Sequence, residues 1–507
     1  MPIISNNHYT KSLTLFLMGA LCVLGFAPYY FYLASLLSLI GLCYFWYQSN
    51  SAKQAAIDGF IFGLGLFGAG IYWIFISLHD FGNMPSFMAG LATFLLCAFM
   101  ALFPALTGWL SVRVSNAKSQ QLLITIPIFW ALADWTRSWI FTGFPWLTIG
   151  YSQVPHSPLS GFTPILGIYG ISLLSVFIAS LIGFWLVKKP SSVIWKRNSI
   201  ALLVLILVTG NLLKLVEWTS PSNKPISVAL LQGNIPQDLK WAPEIADRTL
   251  NKYLSLAEAS QARLIILPET ALPVLSSELP VELTTRLQQL ANKNQGAVLA
   301  GVIERENGEY FNSMLNIGKA NPEAYRKSHL VPFGEFIPLK VAFGWIYRDL
   351  LNMPLSDLSR GSLHQQPMDI AGEKVAINIC YEDVFGEEII RQLPAATLLV
   401  NASNDAWYGQ SNAAYQHMQF SQARALETGR TVLRATNTGA TAIIDPHGNV
   451  LAHAPHFTES TLNGTAQGYS GSTPYVHWGN WFFLAICWVG LIAICLPNFL
   501  ASRRKTK

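Results

Sequence analysis

VAINICYEDVFGEE, residues 375–388, is the stretch on which the reading of this sequence turns. From Val375 to Ile379 it is largely apolar on both alternating faces, the pattern of a central strand covered by helices on each side. The run then stops at Cys380, Tyr381 and Glu382 and passes into a helical pattern over 384–392. In α/β sheets the C-terminal ends of strands are where sites collect. A cysteine at a strand-to-helix turn can have its pKa lowered by helix amides and a nearby cation. One short stretch therefore predicts an α/β layer and offers a candidate nucleophile, which is equally readable as a buried core thiol.

Working outward, similar Val- and Ile-rich runs predict strands at 226–232, 262–269, 297–303, 375–382, 396–403, 431–437 and 440–446. Helical patterns fall at about 244–260, 280–294, 384–392 and 412–429. DPHGN (445–449) has turn chemistry. There is no internal repeat, no GxGxxG and no P-loop. The ten histidines are scattered, with no zinc spacing, so no metal and no cofactor is expected.

The α/β segment is only half of the chain. Of 507 residues, 51% are apolar and 12% charged, against about 25% charged in soluble domains. That excludes a disordered protein and argues against an ordinary cytosolic enzyme. Residues 221–476 hold 19 Lys+Arg and 24 Asp+Glu, leaving 14 basic and 4 acidic residues for the remainder. A net charge of +5 is too small to argue for nucleic-acid binding. The expected division is a membrane domain at 1–220, a globular domain at 221–476, and a final span with a basic tail at 477–507.

Apolar stretches long enough for a hydrocarbon core about 30 Å thick fall at about 12–28, 30–48, 55–78, 86–112, 121–140, 165–187, 198–216 and 478–500. Loops on one side carry Lys11, Lys53, Arg113, Lys118, Lys188, Lys189, Lys196, Arg197 and the tail Arg503, Arg504, Lys505 and Lys507. The short loops on the other side carry no Lys or Arg. The positive-inside rule then places both termini in the cytoplasm and the globular segment outside. The fold class expected is a polytopic helical membrane domain of about eight transmembrane helices plus an extracytoplasmic α/β domain. The first span reads as membrane helix and not as a cleaved signal peptide.

Of six cysteines, five lie in expected spans, and only Cys380 is in the globular half. That half therefore has no internal disulfide. Two further segments carry polar residues next to apolar runs: ILPET (266–270), with Glu269, and YRKSHLVPFGEFIP (325–338), with Lys327 and Glu335. A carboxylate to take a thiol proton, an ammonium to stabilise thiolate and oxyanion, and a cysteine together make an acyl-transfer set. Singly each has a plainer reading: a capping or salt-bridged Glu269, an exposed strand-end Lys327, a core Cys380.

Glu in ILPET, Lys in YRKSHLVPFGE and Cys in NICYED, in that order, resemble the nitrilase or carbon–nitrogen hydrolase superfamily. The surrounding spans and the strings GFPWL (143–147), SNDAWYG (403–409) and RATNTG (434–439) resemble its membrane branch, the apolipoprotein N-acyltransferases. The likeness covers about residues 10–500 and departs nowhere at the triad positions. It implies an αββα sandwich. It implies Glu269 as general base, Lys327 as stabiliser of the oxyanion and Cys380 as nucleophile. Glu335 would orient the lysine or assist catalysis. Tyr381, Glu382 and Trp241 would handle substrate, Trp241 being equally readable as an interfacial anchor.

The reaction implied is ping-pong. Cys380 would take an acyl chain from the sn-1 ester of a phospholipid, typically phosphatidylethanolamine, as a thioester. It would then pass the chain to the N-terminal amine of the diacylglyceryl-cysteine of an apolipoprotein. The implied setting is a monomer in the bacterial inner membrane, its catalytic domain facing the periplasm. The partners are the lipid bilayer, the phospholipid donor and the diacylated acceptor, without nucleic acid.

Three further expectations concern the membrane side. Residues 331–362, apolar and broken by Pro and Gly, read as a lid admitting acyl chains, with Phe343 and Trp345 as its test positions, or else as a buried loop. FTGFPWLTIGYSQ (141–153) reads as a floor for the site or as an aromatic-belt loop. Asp134 and Arg137, at i and i+3, line a polar cavity or pair with each other. Rival functions are a membrane-anchored amidase or nitrile hydrolase, a transporter and a non-enzymatic scaffold. Eight spans are more than an anchored amidase needs. No charge near a span's midplane supports a transporter, Asp58 lying near a span end. An intact acid, amine and thiol set weighs against a scaffold.

Overall fold

The computed structural model describes residues 8–188, 192–318, 323–337 and 357–505. Phe343 and Trp345, the test positions of the expected lid, lie outside the described residues. The chain forms two units. One comprises the residues up to Tyr72, Gly90–Val216 and those from Trp478 on; the other comprises Trp73–Ala89 and Glu217–His477.

Helices fall on all eight apolar stretches: His8–Cys22, Tyr32–Gln48, Ala52–Gly70, Ser86–Val114, Ile126–Thr136, Thr163–Lys188, Val193–Leu213 and Trp481–Lys505; all but the first turn of Ser86–Val114 belong to the first unit. Among the described residues three helices are long and apolar enough to cross a membrane, or up to four if Ala52–Gly70 and Trp73–Phe81 count as one bent span. Helices His8–Cys22 and Ala52–Gly70 approach backbone to backbone. A Cβ on Gly19 would meet the Phe62 carbonyl, and one on Gly65 the Phe16 carbonyl, so glycine is what permits the contact.

The buried charges here are paired. Arg137 Nη2 lies 2.6 Å from Asp134 Oδ1. Asp134 Oδ2 also accepts from Ile149 N–H and Ser172 Oγ, and Arg137 Nη1 donates to the Trp146 carbonyl. This pair pins the 141–153 loop, so that Trp146 and Tyr151 are buried. An aromatic belt is therefore not what these two side chains make.

Among the described residues the second unit has fourteen strands: β1 Thr219–Pro221, β2 Ile226–Gln232, β3 Leu264–Ile266, β4 Ala297–Glu306, β5 Glu309–Asn316, β6 Glu323–Arg326, β7 Met368–Ile370, β8 Glu373–Ile379, β9 Leu398–Ser403, β10 Thr431–Thr436, β11 Ala442–Ile444, β12 Val450–His453, β13 Ser460–Ala466 and β14 Tyr469–Gly471. They form two six-stranded sheets, ordered β13-β2-β3-β4-β5-β6 and β12-β11-β10-β9-β8-β7, and a small β1-β14 ribbon. Each large sheet has a parallel centre, β2-β3-β4 and β8-β9-β10, flanked by antiparallel strands.

Period-two alternation explains the layers. Val228, Leu230, Ile266 and Leu299 of one sheet share a core with Val375, Ile377, Ile379, Val400 and Leu433 of the other. Their neighbours Ala229, Leu231, Ile265 and Val298 face the opposite way, onto helices Pro243–Glu258 and Val281–Lys293 through Leu250, Leu254, Leu283 and Leu287. Leu399, Val432 and Ile444 of the second sheet meet Ala425 of helix Ala413–Thr428 and Ile389. The result is helix, sheet, sheet, helix: the αββα sandwich expected.

Candidate active site

The polar residues of interest follow strand ends. Glu269 lies just past β3, Lys327 follows β6, Cys380 follows β8, and Ser403 closes β9. Parallel strands deliver their C-terminal ends to one edge of a sheet, which is why residues more than a hundred positions apart converge.

Lys327 is 1% exposed and stands between two carboxylates. Its Nζ donates to Glu269 Oε1 at 3.2 Å and to Glu335 Oε1 at 2.9 Å. Asn312 Nδ2, from β5, bridges the same two oxygens at 2.8 and 3.0 Å. Glu269 Oε2 accepts the Asn404 N–H, and Glu335 Oε2 accepts the Val331 N–H. A second buried amine completes the set: Lys240 Nζ donates to the Glu269 carbonyl and to Thr270 Oγ1. Among the described residues no group of three or more His, Cys, Asp or Glu is placed to hold a metal ion.

Charge settles the protonation states. Burial opposes ionisation of Glu269, but the Lys327 and Lys240 ammonium groups outweigh it and hold the carboxyl below its usual range. Burial pulls Lys327 down, yet Glu269 and Glu335 hold it well above the usual lysine range. Lys240 has less compensation, and burial lowers it to about 8 against the pull of Glu269.

Cys380 departs from the sequence reading. Its thiol is pushed up, not down: burial acts first, Glu269 adds to it, and Lys327 and a hydrogen bond with Ser403 only oppose. The helix expected after it does not supply a dipole either. A five-residue 3₁₀ turn, Cys380–Val384, is followed by the single turn Gly386–Ile389, too short for an appreciable macrodipole. Cys380 itself has φ +53°, a left-handed conformation that a non-glycine residue holds at a cost of about 1–3 kcal/mol and that clusters at functional sites. The residue is 7% exposed, among the inner-face core residues.

The supporting residues separate. Glu335 sits on Lys327. Glu382 Oε1 accepts from Ser328 N–H, Ser328 Oγ and His329 N–H, while its Oε2 accepts from Ile379 N–H and Tyr325 Oη. It thus ties the Lys327 segment of one sheet to the Cys380 strand of the other, a clasp behind the site; burial pushes its carboxyl up despite these donors. Tyr381 packs its ring edge-on to His329 and Phe385. Trp241 is half-buried at the start of helix Pro243–Glu258.

Sequence reasoning singled out Trp241 and passed over Lys240 beside it. It also missed Asn312, because β5 (EYFNSMLN) lacks the Val- and Ile-rich run that marked the other strands. His417, with Asp383 and Asp405, went unread as well. Asp405 and Arg434 stood inside strings noted only for their likeness.

The chain matches two families. Residues 18–181 match the apolipoprotein N-acyltransferase N-terminal domain, and residues 227–475 match carbon–nitrogen hydrolase. It is 49% identical to an apolipoprotein N-acyltransferase of Nitrosomonas europaea, over 99% of this chain and 100% of that one. It is 40% identical to one of Methylococcus capsulatus, over 95% and 94%. With one of Chromobacterium violaceum it shares 41% identity, over 92% and 89%.

Proposed function

The chain belongs to the apolipoprotein N-acyltransferase family, and from that membership we propose how its residues transfer an acyl group to a lipoprotein amine. The protein is an N-acyltransferase, and its work is lipoprotein N-acylation. The observation that supports the mechanism is the buried Glu269–Lys327 pair, continued to the part-buried Glu335, beside a cysteine whose thiol feels both Glu269 and Lys327.

A thiol pushed up by burial rests neutral, so it reacts by losing its proton as the carbon–sulfur bond forms. Glu269, held ionised, accepts that proton. Cys380 Sγ attacks the sn-1 ester carbonyl of a phospholipid, typically phosphatidylethanolamine. The negative charge that develops on the carbonyl oxygen is met by the Lys327 ammonium. The carbon–oxygen bond breaks, the proton on Glu269 passes to the departing oxygen, and lysophospholipid leaves a Cys380 thioester. The neutral α-amine of the diacylglyceryl-cysteine then attacks the thioester. Glu269 takes the amine proton and returns it to the sulfur, leaving an amide. Glu335 and Asn312 fix Lys327 and Glu269 in register for both halves.

Both substrates are lipids, so the site works at a bilayer. We read eight crossings, both termini cytoplasmic and the sandwich facing the periplasm, from the one-sided Lys and Arg distribution.

Intact-protein mass spectrometry after incubation with phosphatidylethanolamine tests the mechanism. The expected result is a gain of one acyl group that Cys380→Ala abolishes and an acceptor peptide discharges. No gain, or a gain retained in Cys380→Ala, removes Cys380 from the reaction. Lysophospholipid release that does not depend on acceptor would indicate hydrolysis instead.

A further inference from the structure

Beneath Cys380 lies a second cluster of charges that the transfer steps do not use. His417, on helix Ala413–Thr428, is 1% exposed. Its Nδ1 lies 2.7 Å from Asp405 Oδ1. Its Nε2 is aligned on the Cys380 carbonyl oxygen at 3.1 Å and forms an ion pair with Asp383 Oδ1 at 3.1 Å. Arg434, from β10, closes the ring: Nη1 donates to Asp383 Oδ2 at 3.1 Å and Asn401 Oδ1 at 2.6 Å, and Nη2 to Asp405 Oδ2 at 2.8 Å. Asn401 in turn donates its Nδ2 to the same Cys380 carbonyl at 3.1 Å. Two side chains from β9 and the helix thus grip one carbonyl, and that carbonyl belongs to a residue in the left-handed region.

We propose that His417 is a positioning residue for acyl transfer: its Nε2–H, with Asn401, holds the Cys380 carbonyl and so fixes the turn that presents the thiol. A left-handed cysteine relaxes unless its peptide is held from outside. Burying four charged groups is costly unless each is paired, and here every charge faces its opposite. The groups facing His417 are Asp383 after β8, Asp405 after β9 and Arg434 on β10. Burial and Arg434 disfavour its protonation, but Asp405 and Asp383 outweigh them and raise it to about 9. The ring is therefore an imidazolium at neutral pH, with one N–H for Asp405 and one for the carbonyl. Deprotonation removes one of these donors.

The inference rests on Cys380 being the nucleophile, and the experiment separates the two. Single-turnover acylation from phosphatidylethanolamine is followed by intact mass in the full-length wild type, Cys380→Ala, His417→Ala and His417→Gln, with melting temperature recorded for each. A wild type that gains no acyl mass, or a Cys380→Ala that does, defeats the nucleophile assignment itself. With that assignment standing, folded His417→Ala acylates about a hundredfold more slowly, with an unchanged half-saturating phospholipid concentration. His417→Gln, which keeps one donating nitrogen in place of two, recovers part of the rate. The wild-type rate falls as pH rises through about 9, and the Gln variant lacks that fall. His417→Ala acylating at the wild-type rate overturns the proposal. If neither variant folds, the wild-type profile decides: a flat profile through pH 9 overturns it, and a fall centred there supports it.

Discussion

Replacing Lys327 with Met tests the centre of the site most directly. The ammonium lies 3.2 Å from Glu269 Oε1 and 2.9 Å from Glu335 Oε1 and is 1% exposed, so solvent does not screen the loss. Breaking a buried ion pair by removing one partner costs about 3–5 kcal/mol, because the other charge stays behind. Here two charges stay behind, facing each other. Three N–H donors remain to them, from Asn312, Asn404 and Val331, which keeps the cost within that bracket. At about 2–4 °C per kcal/mol for a unit of this size, the melting temperature falls by roughly 6–20 °C at neutral pH.

The loss has a pH signature. Glu269 is held below its ordinary value in the wild type by Lys327 and Lys240 against burial. Its stability contribution is present above the unfolded carboxyl pKa and disappears as pH falls through the folded one. Without Lys327, one of the two carboxylates takes up a proton readily, so the variant recovers toward wild type as pH falls to about 5. Glu335→Gln, added to Lys327→Met, restores part of the stability at neutral pH by removing one orphaned charge. Acylation falls by about 10²–10³ in kcat even where the variant folds. Thermal melts in detergent between pH 5 and 9 and the acyl mass gain are the assays. A variant that melts with the wild type at pH 7.5, or that acylates normally, refutes the ion-pair account.

Three other outcomes follow from the geometry. Asn312→Ala removes the amide bridging Glu269 and Glu335; it lowers stability by about 1–3 kcal/mol and slows acylation, and unaltered kinetics would deny Asn312 a place in the site. His417 is raised from 6.5 to about 9, so its stability contribution is complete below pH 6.5 and lost as pH rises through about 9; the melting temperature of His417→Gln declines less over that window than the wild type's, and equal slopes would contradict this. Arg137→Leu leaves Asp134 buried without its cation and costs about 3–5 kcal/mol, while Asp134→Asn added to it recovers stability; a double variant no better than the single would show that the pair does not act as one.

Strands covered on both faces were plain in the sequence because continuous Val and Ile runs have few other readings. β2, β4, β8 and β10 are of this kind. The β4–β5 hairpin was missed although its signal was present: Asn307-Gly308 takes positive φ at both positions and joins Glu306 to Glu309 directly, the two-residue turn that this dipeptide favours. The outer strands are short or partly exposed, and residues such as Glu309 and Glu323, exposed at strand starts, carry no apolar period. Glu269 and Cys380 were legible as polar residues following apolar runs, and Lys327 through the string YRKSHLVPFGE, since the strand before it, EAYR, is not apolar. The protonation of Cys380 was not: it depends on how deeply the thiol is buried and on which charge lies nearer, and neither is a property of NICYED.

By itself the sequence determined the solvents. Its charge deficit and apolar stretches assigned one half to a bilayer, and its alternating strands assigned the other to covered sheets, because hydrophobic period and span length are one-dimensional quantities. Only the tertiary structure decided what the polar residues do to one another. Glu269, Asn312, Lys327 and Glu335 come from separate strands and loops, and His417 reaches Cys380 from a helix thirty-seven positions away. Electrostatic energies depend on separation and burial in space, which the order of residues along a chain does not contain.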